Sequence, residues 1–388
     1  MSGWKTAVLG TGFMGRVHLE AIRRLGNVEV VAVSSLEKDV AYRLAAQFSV
    51  GRVELDYRQV LEDPSIDAVH ICTPNSQHFP MALAALAAGK HVLCEKPLAT
   101  SVQEARTLVE AAGRSGRRDC LNHNLRYYPA VQQIRRLCEA GDLGDILVVQ
   151  GTYSQDWLLY DTDWNWRVVA SEGGASRSMA DIGSHWFDMA EHVTGQRVTS
   201  LCADMQTFHP TRKRPKGHVE TFAGKSLRPG EYDEVPITTE DYGGVIFRMG
   251  ERTRGAMTVS QVSAGRKNRL SIEIYGTKGG AAWDQETPNQ LWLGNRNTNN
   301  QLLLKDPSLL LPAAQPYAEM PGGHAEGYGD TFKQVFRRFY GSLGNDDPHP
   351  EHARFRDGLR QLTILQAAID SHKSRAWADV PGVEQGEI

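Results

Sequence analysis

The sequence TAVLGTGFMG at residues 6–15 decides the fold, because it joins a short apolar run to a glycine loop and a helix-like segment. Residues 6–9 predict a buried strand, and residues 14–25 have the apolar spacing of an amphipathic helix. Between them the glycines follow the pattern G-x-G-x-x-G, which permits a tight turn, close approach of a pyrophosphate and close packing of helix on strand. In this context the pattern predicts a dinucleotide site rather than a merely structural turn. The candidate cofactor residues of this loop are Gly10, Thr11, Gly12, Phe13, Met14 and Gly15.

Short apolar runs alternate with longer amphipathic segments up to about residue 120. Further strands are predicted at residues 28–33, 68–72 and 91–94, each rich in valine, isoleucine or leucine. This alternation is typical of a parallel sheet covered by helices on both faces. The sequence therefore predicts an α/β domain with a doubly wound parallel sheet.

Strand-like segments follow one another after about residue 122, among them residues 146–153 and 270–275, with few helices between them. This pattern predicts a second domain, of α+β type, built on a large, mainly antiparallel, open-faced sheet. We place a dinucleotide-binding Rossmann domain at 1–122 and a domain for substrate binding and oligomerisation at 123–388. The pattern leaves open whether the last helices, at about 352–373, pack back on the Rossmann domain.

Composition and charge exclude several classes of protein. A net charge of −3 and short basic clusters argue against a nucleic-acid partner. No apolar run approaches the roughly 18 to 20 residues that span a bilayer, and the first residues do not resemble a secretion signal. The five cysteines are scattered without C-x-x-C spacing, which favours reduced thiols over a metal site. We expect a cytoplasmic protein with no metal and no membrane contact.

The end of the second predicted strand bears on the choice between NAD and NADP. An acid there would bind the ribose 2′-hydroxyl of NAD, and a basic residue would accommodate the 2′-phosphate of NADP. Here Ser34 and Ser35 stand at the usual acid position, and Lys38 follows three residues later. This favours tolerance of NADP, but Glu37 keeps NAD open, so the prediction is NAD or NADP.

The tripeptide Glu95-Lys96-Pro97 follows the strand at residues 91–94. Ligands of open α/β sheets bind at the carboxyl ends of the strands. Lys96 at this place could hydrogen-bond a reacting hydroxyl and stabilise negative charge on its oxygen. The competing interpretation is a surface lysine beside a glutamate.

A second pair of candidate catalytic residues is Asp181 and His185, four residues apart in a predicted helix at 180–193. This spacing places both side chains on one face of the helix. Histidine takes and returns a proton near neutral pH, and a neighbouring carboxylate orients it. The competing interpretation is an acid that caps the helix and a histidine that fills its inner face.

The glycine loop, Glu95-Lys96-Pro97 and Asp181-x-Gly-x-His185 occur in an order that resembles the Gfo/Idh/MocA family, named after glucose-fructose oxidoreductase, inositol dehydrogenase and rhizopine catabolism. The resemblance covers essentially the whole chain. It implies a Rossmann domain joined to an open-faced sheet domain, with the active site at the nicotinamide between them. It also implies catalytic roles for Lys96, Asp181 and His185. Further cofactor contacts implied by the resemblance are Thr73, Asn75, His78, Glu95, Lys96, Trp166 and Arg167.

Three segments are candidates for the substrate pocket. Residues 122–127 present Asn124 and Arg126, and residues 153–167 combine aromatic rings with carboxylates and amides, a mixture that suits polyols. The alternative for each aromatic side chain is packing in the core. The segment around His324 resembles one in relatives that act on sugars, anhydrosugars or inositols, although a surface helix cap is the alternative. The candidate substrate residues are Lys96, Asn124, Arg126, Tyr153, Gln155, Asp156, Asp181, His185 and His324.

The leading hypothesis is an NAD(P)-dependent dehydrogenase that reversibly oxidises a secondary hydroxyl of a sugar, glycoside, anhydrosugar or cyclitol. A first alternative is a glycoside hydrolase that oxidises its substrate transiently and then restores the hydride. A second is a cofactor-sensing regulator without turnover, against which the intact catalytic trio argues. The open sheet face predicts a homo-oligomer, a dimer or a tetramer.

Overall fold

Six parallel strands form the sheet that follows from the amino-terminal pattern. They are β1 Trp4–Leu9, β2 Val28–Ser34, β3 Val53–Glu54, β4 Ala68–Ile71, β5 His91–Cys94 and β6 Asp119–Leu121. Their order is β3-β2-β1-β4-β5-β6, and all neighbouring strands run parallel. The predicted doubly wound parallel sheet is confirmed. The order reverses between β1 and β4, and in such sheets ligands bind outside the carboxyl ends of the strands at this switch point.

The computed structural model describes residues 3–217, 230–345 and 350–382. Its helices are α1 Phe13–Arg23, α2 Lys38–Gln47, α3 Tyr57–Leu61, α4 His78–Ala87, α5 Val102–Ser115, α6 Pro129–Glu139, α7 Ala170–Gly173, α8 Ser184–Thr194, α9 Tyr328–Ser342 and α10 Phe355–Ser374. The first five connect the parallel strands. Within the described ranges, none of the helices has the length and hydrophobicity that a membrane crossing requires.

A second, nine-stranded sheet is mainly antiparallel, as predicted. The strands after β6 are β7 Ile146–Ser154, β8 Val198–Gln206, β9 Thr211–Pro215, β10 Tyr232–Pro236, β11 Tyr242–Met249, β12 Thr253–Ser260, β13 Arg269–Gly276, β14 Gly280–Asp284, β15 Gln290–Gly294, β16 Gln301–Leu304 and β17 Ala378–Asp379. The sheet order is β16-β15-β14-β13-β7-β12-β11-β8-β17, and only the pair of β7 and β12 is parallel among its described strands. Strands β9 and β10 form a separate antiparallel hairpin.

One face of the nine-stranded sheet carries the core of its unit. Trp186 and Phe187 of α8 are buried against strand residues such as Phe247, and the Trp186 indole donates to the Ser271 carbonyl at 2.9 Å. The opposite face is polar at most positions and leaves Ile246 about half exposed. A groove of about 700 Å³ follows this face, lined by Gln150, Thr152, Asp204, Ile246, Thr258 and Glu273 among others.

The chain divides into two units that differ slightly from a simple split along the sequence. The first holds the residues up to Asn124 together with Tyr328–Leu362, and the second holds Leu125–Gly327 and Thr363–Gly382. Helix α9 therefore belongs to the unit of the parallel sheet, and α10 contributes residues to both units. The domain bounds at 122/123 stay a prediction.

Candidate active site

The glycine loop has the geometry that a pyrophosphate needs. Gly10 has a φ of +102°, and a Cβ there would lie 2.7 Å from the Cys72 backbone. A Cβ on Gly15 would lie 2.1 Å from the Gly10 carbonyl oxygen, so α1 packs directly against the loop. A Cβ on Gly12 would meet nothing within 4 Å, although Gly12 caps α1. The space over Gly12 lies at the amino terminus of α1, where backbone N–H groups favour an anion.

The segment after β2 carries hydroxyls where an acid often stands. The Ser34 carbonyl accepts from the Gly10 N–H at 2.8 Å, which joins β2 to the glycine loop. The Ser35 hydroxyl accepts from the Glu37 N–H at 3.2 Å, and Lys38 begins α2. Leu36 between them is 90% exposed. Ser34, Ser35 and Leu36 thus leave the end of β2 without a carboxylate of its own.

Buried His78 connects the turn after β4 to the turn after β5. Its Nδ1 lies 2.7 Å from the Pro97 carbonyl oxygen, and its Nε2 lies 2.9 Å from that of Thr73. Burial lowers the pKa of His78, although both carbonyl contacts act in the opposite direction. Asn75 is buried in the short 3₁₀ turn before His78. Thr73, Asn75 and His78, which the resemblance assigned to the cofactor, therefore lie at the carboxyl ends of two central strands, whereas Trp166 and Arg167 lie in the second unit.

Glu95 is the best-anchored charged side chain at this edge of the sheet. Its Oε1 lies 2.9 Å from His18 Nε2 and accepts from Asn122 Nδ2 at 2.5 Å, while Oε2 accepts from the Lys96 backbone N–H at 3.3 Å. Burial raises the pKa of Glu95, but the bonds from His18 and Asn122 and the charge of Lys96 outweigh it, so the pKa is lowered. The carboxylate is therefore ionised beside Lys96, which is only half-buried.

In the second unit, Asp181 lies in a π-helical turn, Met179–Gly183, that runs directly into α8. Its Oδ2 accepts from Gln261 Nε2 at 2.8 Å, and its Oδ1 lies 3.4 Å from Arg167 Nε. His185 lies in the first turn of α8, is 7% exposed, and its ring centroid is 6.4 Å from that of Tyr153. The structure thus brings Asp181 and His185 to successive turns of one helix, next to two other predicted site residues.

Arg167 contacts two other predicted site residues, Trp166 and Asp181. Its guanidinium lies over the Trp166 ring, 4.3 Å from the centroid, while its Nε faces Asp181. The short 3₁₀ turn that holds both residues, Trp166–Val168, is capped by Asn165, whose side chain accepts from the Arg167 N–H. Trp166, Arg167 and Asp181 are therefore neighbours within the second unit.

Polar residues at the end of β7 and just after it share a partner that the sequence did not indicate. Tyr153 Oη and Gln155 Nε2 both donate to Asn268 Oδ1 at 2.8 Å. Asp156 accepts from Lys267 Nζ at 2.6 Å and from the Gly265 N–H. Burial raises the pKa of Asp156, but the bond from Lys267 and the Gly265 amide lower it overall.

Three further candidate substrate residues have clear partners in the protein. Asn124 Nδ2 donates to Thr331 Oγ1 at 2.8 Å, and both residues lie in the first unit. Arg126 makes a two-pronged ion pair with buried Asp188, at 2.6 and 2.5 Å. His324 is exposed, and its backbone carbonyl accepts from buried Lys305 at 2.8 Å. These bonds give Asn124 and Arg126 structural roles beside any contact with substrate.

A buried ionic cluster fixes the segment after β7. Arg212 of β9 donates to the carbonyls of Leu158, Tyr160 and Asp163 and to the Asp241 carboxylate. Asp241 also pairs with Arg177, and all three charged side chains are fully buried. Burial raises the pKa of Asp241, but the two guanidinium groups lower it overall. The hairpin of β9 and β10 therefore holds the aromatic segment at residues 157–166 in place.

Sequence reasoning missed His18, Asn122, Gln261, Asn268 and the cluster at Arg212. His18 lies three residues after Gly15, so its position on the inner face of α1 was readable from the helical period. Arg212 was part of a short basic cluster, and no local pattern distinguishes a buried arginine from an exposed one. Among the described residues, no group of three or more histidine, cysteine or acidic side chains could hold a metal ion.

Comparisons with known proteins agree with this geometry. Residues 4–123 match the family model described as "Oxidoreductase family, NAD-binding Rossmann fold", and residues 131–282 match the Gfo/Idh/MocA C-terminal domain. The chain belongs to the Gfo/Idh/MocA family of oxidoreductases. This confirms the resemblance stated from the sequence, together with an NAD-binding Rossmann domain.

Two curated family members and one solved structure show the range of similarity. Levoglucosan dehydrogenase of Pseudarthrobacter phenanthrenivorans is 28% identical over 99% of this chain and 100% of its own length. Myo-inositol 2-dehydrogenase of Thermotoga maritima is 25% identical over 71% of this chain and 73% of its own. A levoglucosan dehydrogenase in complex with NADH and L-sorbose has a TM-score of 0.87 at 26% identity, covering 99% of this chain and 100% of that one.

Proposed function

We propose that this Gfo/Idh/MocA oxidoreductase oxidises a secondary hydroxyl of a sugar, glycoside, anhydrosugar or cyclitol and transfers the hydride to NAD or NADP. The observation that carries the proposal is the glycine loop, with open space over Gly12, on the same sheet edge as Glu95 and Lys96. A levoglucosan dehydrogenase and a myo-inositol 2-dehydrogenase among the relatives support the substrate class.

NAD would be held by Gly10–Gly15 of the loop, and when bound it supplies the acceptor for the hydride. Among the chain's own groups, we assign His185 as the acceptor of the hydroxyl proton. Asp181 is the anionic partner that keeps this helix turn oriented through its bonds to Gln261 and Arg167. We assign to the Lys96 ammonium the role of hydrogen-bonding a substrate hydroxyl and stabilising the negative charge that develops on its oxygen.

The substrate-facing groups are proposed to come from the end of β7 and the segment that follows it. Tyr153 and Gln155 are bonded side by side to Asn268, so their positions are fixed before a substrate arrives. Asp156 remains ionised through Lys267, and a carboxylate that accepts hydrogen bonds suits a polyol. We retain Asn124, Arg126 and His324 as candidate substrate contacts.

The cofactor choice is proposed to be relaxed. The end of β2 offers Ser34 and Ser35 rather than an acid, and Lys38 stands at the start of α2. An NADP 2′-phosphate would therefore meet no carboxylate at these two serine positions, whereas an NAD ribose would lack the usual acidic acceptor.

A second copy of the chain is the proposed partner of the open face of the nine-stranded sheet. Exposed Ile246 lies on the groove of about 700 Å³, among side chains that both donate and accept hydrogen bonds. Changing Ile246 to Glu is expected to lower the molar mass measured by light scattering. We propose a cytoplasmic location, in agreement with five cysteines that form no disulfide among the described residues.

The function is tested by measuring reduction of NAD and NADP with a panel of pyranoses, glycosides, levoglucosan and inositols. Net formation of the reduced cofactor with at least one of them is expected. Release of the aglycone from an aryl glycoside without net reduction would instead support the hydrolase. Cofactor binding without conversion of any polyol would contradict both enzymatic functions.

A further inference from the structure

Two fully buried histidines of the first unit, His18 and His70, lie next to each other. His18 comes from α1, which begins at the glycine loop, and His70 comes from the central strand β4. Their Nδ1 atoms are 2.9 Å apart, and both side chains are 0% exposed. Phe336 of α9 lies edge-on to both rings, with centroids 4.8 Å away. The pair is therefore enclosed in an apolar shell where each hydrogen bond is electrostatically strong.

The pair is part of a longer hydrogen-bonded chain. At one end, His70 Nε2 lies 2.8 Å from the Tyr340 hydroxyl of α9. At the other end, His18 Nε2 lies 2.9 Å from Glu95 Oε1, which also accepts from Asn122. The chain Tyr340–His70–His18–Glu95 thus links α9, β4 and α1 to the residue that precedes Lys96.

The proton positions in this chain follow from its two ends. A carboxylate only accepts, so His18 Nε2 donates to Glu95. Burial, together with His18, lowers the pKa of His70, and burial raises the pKa of Tyr340, so the imidazole is neutral and the phenol is protonated. With one ring proton on His18, every bond runs from Tyr340 towards Glu95. With two, the His18–His70 and His70–Tyr340 bonds reverse, and Glu95 still receives its donor.

We propose that His18, His70 and Tyr340 are positioning residues that hold the Glu95 carboxylate in place and thereby fix the main chain of catalytic Lys96 relative to the glycine-loop helix. Glu95 Oε2 accepts from the Lys96 N–H, so the carboxylate joins α1 directly to the backbone of Lys96. This inference rests on the proposed function, because it assumes that Lys96 acts in the hydride transfer.

The ionised state of Glu95 depends on these partners because the carboxylate is buried. The other titratable groups that act on Glu95 come from neighbouring elements: Cys72 after β4, His78 of α4, Cys94 of β5 and Lys96 after β5. Burial raises the pKa of both thiols, so they are neutral. His18, Asn122 and Lys96 are therefore what offsets the burial of the carboxylate.

The test compares His18→Leu with His18→Gln, because a glutamine amide can still donate to Glu95 and a leucine cannot. Loss of a hydrogen bond to a charged group raises the pKa of the acceptor by about 1 to 2 units. The pH at which half of the Glu95 carboxyl is protonated is expected to rise by that amount in H18L, kcat is expected to fall over the same pH range, and H18Q is expected to restore most of both. The same variants, without cofactor, are followed by infrared spectroscopy for a protonated carboxyl band that disappears on Glu95→Gln.

Three outcomes decide the inference. A folded H18L protein with a wild-type pH profile and no new carboxyl band would overturn it. If H18L does not fold, Asn122→Ala, which removes the other side-chain donor to Glu95, decides by the same two readouts. Tyr340→Phe keeps the ring and removes the hydroxyl. An upward shift of its kcat profile along the pH axis that is smaller than that of H18L supports a role for Tyr340. The absence of any shift would limit the positioning residues to His18 and His70.

A matched control distinguishes positioning from stability. His352→Gln changes another buried histidine of the first unit, one that lies against the Asp119 carbonyl. It is expected to alter stability but not the pH profile of kcat. A wild-type enzyme that is inactive on every polyol would contradict the proposed function. If the wild type is active but the pH profile of kcat is unchanged in H18L, only this inference is contradicted.

Discussion

Arg212 Nη2 donates to Asp241 Oδ1 at 2.7 Å, and neither side chain is exposed to solvent. The same guanidinium donates to three carbonyls of the segment at residues 158–163. The hairpin of β9 and β10 is thereby anchored to the aromatic segment that is proposed to line the substrate pocket. Stability and substrate binding should therefore depend on the same buried arginine.

Replacing Arg212 by Met is expected to lower the free energy of unfolding by about 3 to 5 kcal/mol, because Asp241 loses one of two cationic partners in the interior. The KM for the substrate should rise more than kcat falls, since the segment at 158–163 loses its anchor. Arg214→Met is the matched control on the same strand, because Arg214 makes an exposed pair with Asp233. Its effect should stay within about 1 kcal/mol. Equal effects of both variants would contradict the assigned role.

Substitutions at two glycines of the loop should affect cofactor binding and protein stability separately. Gly12→Val is expected to leave the melting temperature nearly unchanged and to weaken NADH binding at least tenfold, because its side chain enters the space reserved for the pyrophosphate. Gly15→Ala should lower the melting temperature, since its Cβ would meet the Gly10 carbonyl. Gly51→Ala, which has open space elsewhere, should do neither. NADH fluorescence titration and thermal unfolding measure both effects.

Periodicity in the sequence was sufficient for most of the fold. The runs at residues 146–153 and 270–275 lie within one residue of β7 and β13, because inward and outward positions alternate along a sheet covered on one face. The two-residue strands β3 and β17 were missed, since two residues carry no period. The parallel pairing of β7 with β12 was missed for another reason: pairing direction is set by topology rather than by local pattern.

The residues of the candidate site also differ in whether a local pattern in the sequence indicated them. Glycine spacing and the strand end before Glu95 are local, so they were readable from the sequence. The partners of Glu95 come from α1 and from the residue after β6, far apart in the chain, and no local signal joins them. The ion pair of Arg126 with buried Asp188 joins residues 62 positions apart, so no local pattern indicated it.

Stability should decrease as the pH falls from about 6.5 towards 4. Burial lowers the pKa of His352 to about 4, although Asp119 acts in the opposite direction. Between these two pH values the histidine of the unfolded chain, with a pKa of about 6.5, binds a proton and the histidine of the folded chain does not. The free energy of unfolding therefore rises with pH, by up to about 1.4 kcal/mol per pH unit. Urea unfolding between pH 7 and 4.5 measures it. His352→Gln should reduce the slope, and an unchanged slope would contradict the assignment.

Cofactor preference should respond to one residue at the end of β2. Ser35→Asp is expected to reduce kcat/KM with NADP at least tenfold while NAD is retained, because a carboxylate repels the 2′-phosphate and accepts from the ribose hydroxyl. Ser65→Asp, at an exposed turn position bonded to Asp63, is the control and should leave the ratio unchanged. Equal loss with both cofactors in S35D would place the adenosine ribose elsewhere.

Lys96 and His185 are the residues proposed to perform hydroxyl oxidation in this family member. The most direct test is kcat of Lys96→Ala and His185→Ala on the best polyol of the panel, with NADH affinity measured in parallel. Lys278→Ala on the surface and His192→Gln, two turns further along α8, are the matched controls. A fall in kcat of roughly 10² to 10⁴ is expected in both alanine variants, with NADH binding still measurable and the controls near wild type. Full turnover in either alanine variant would contradict it.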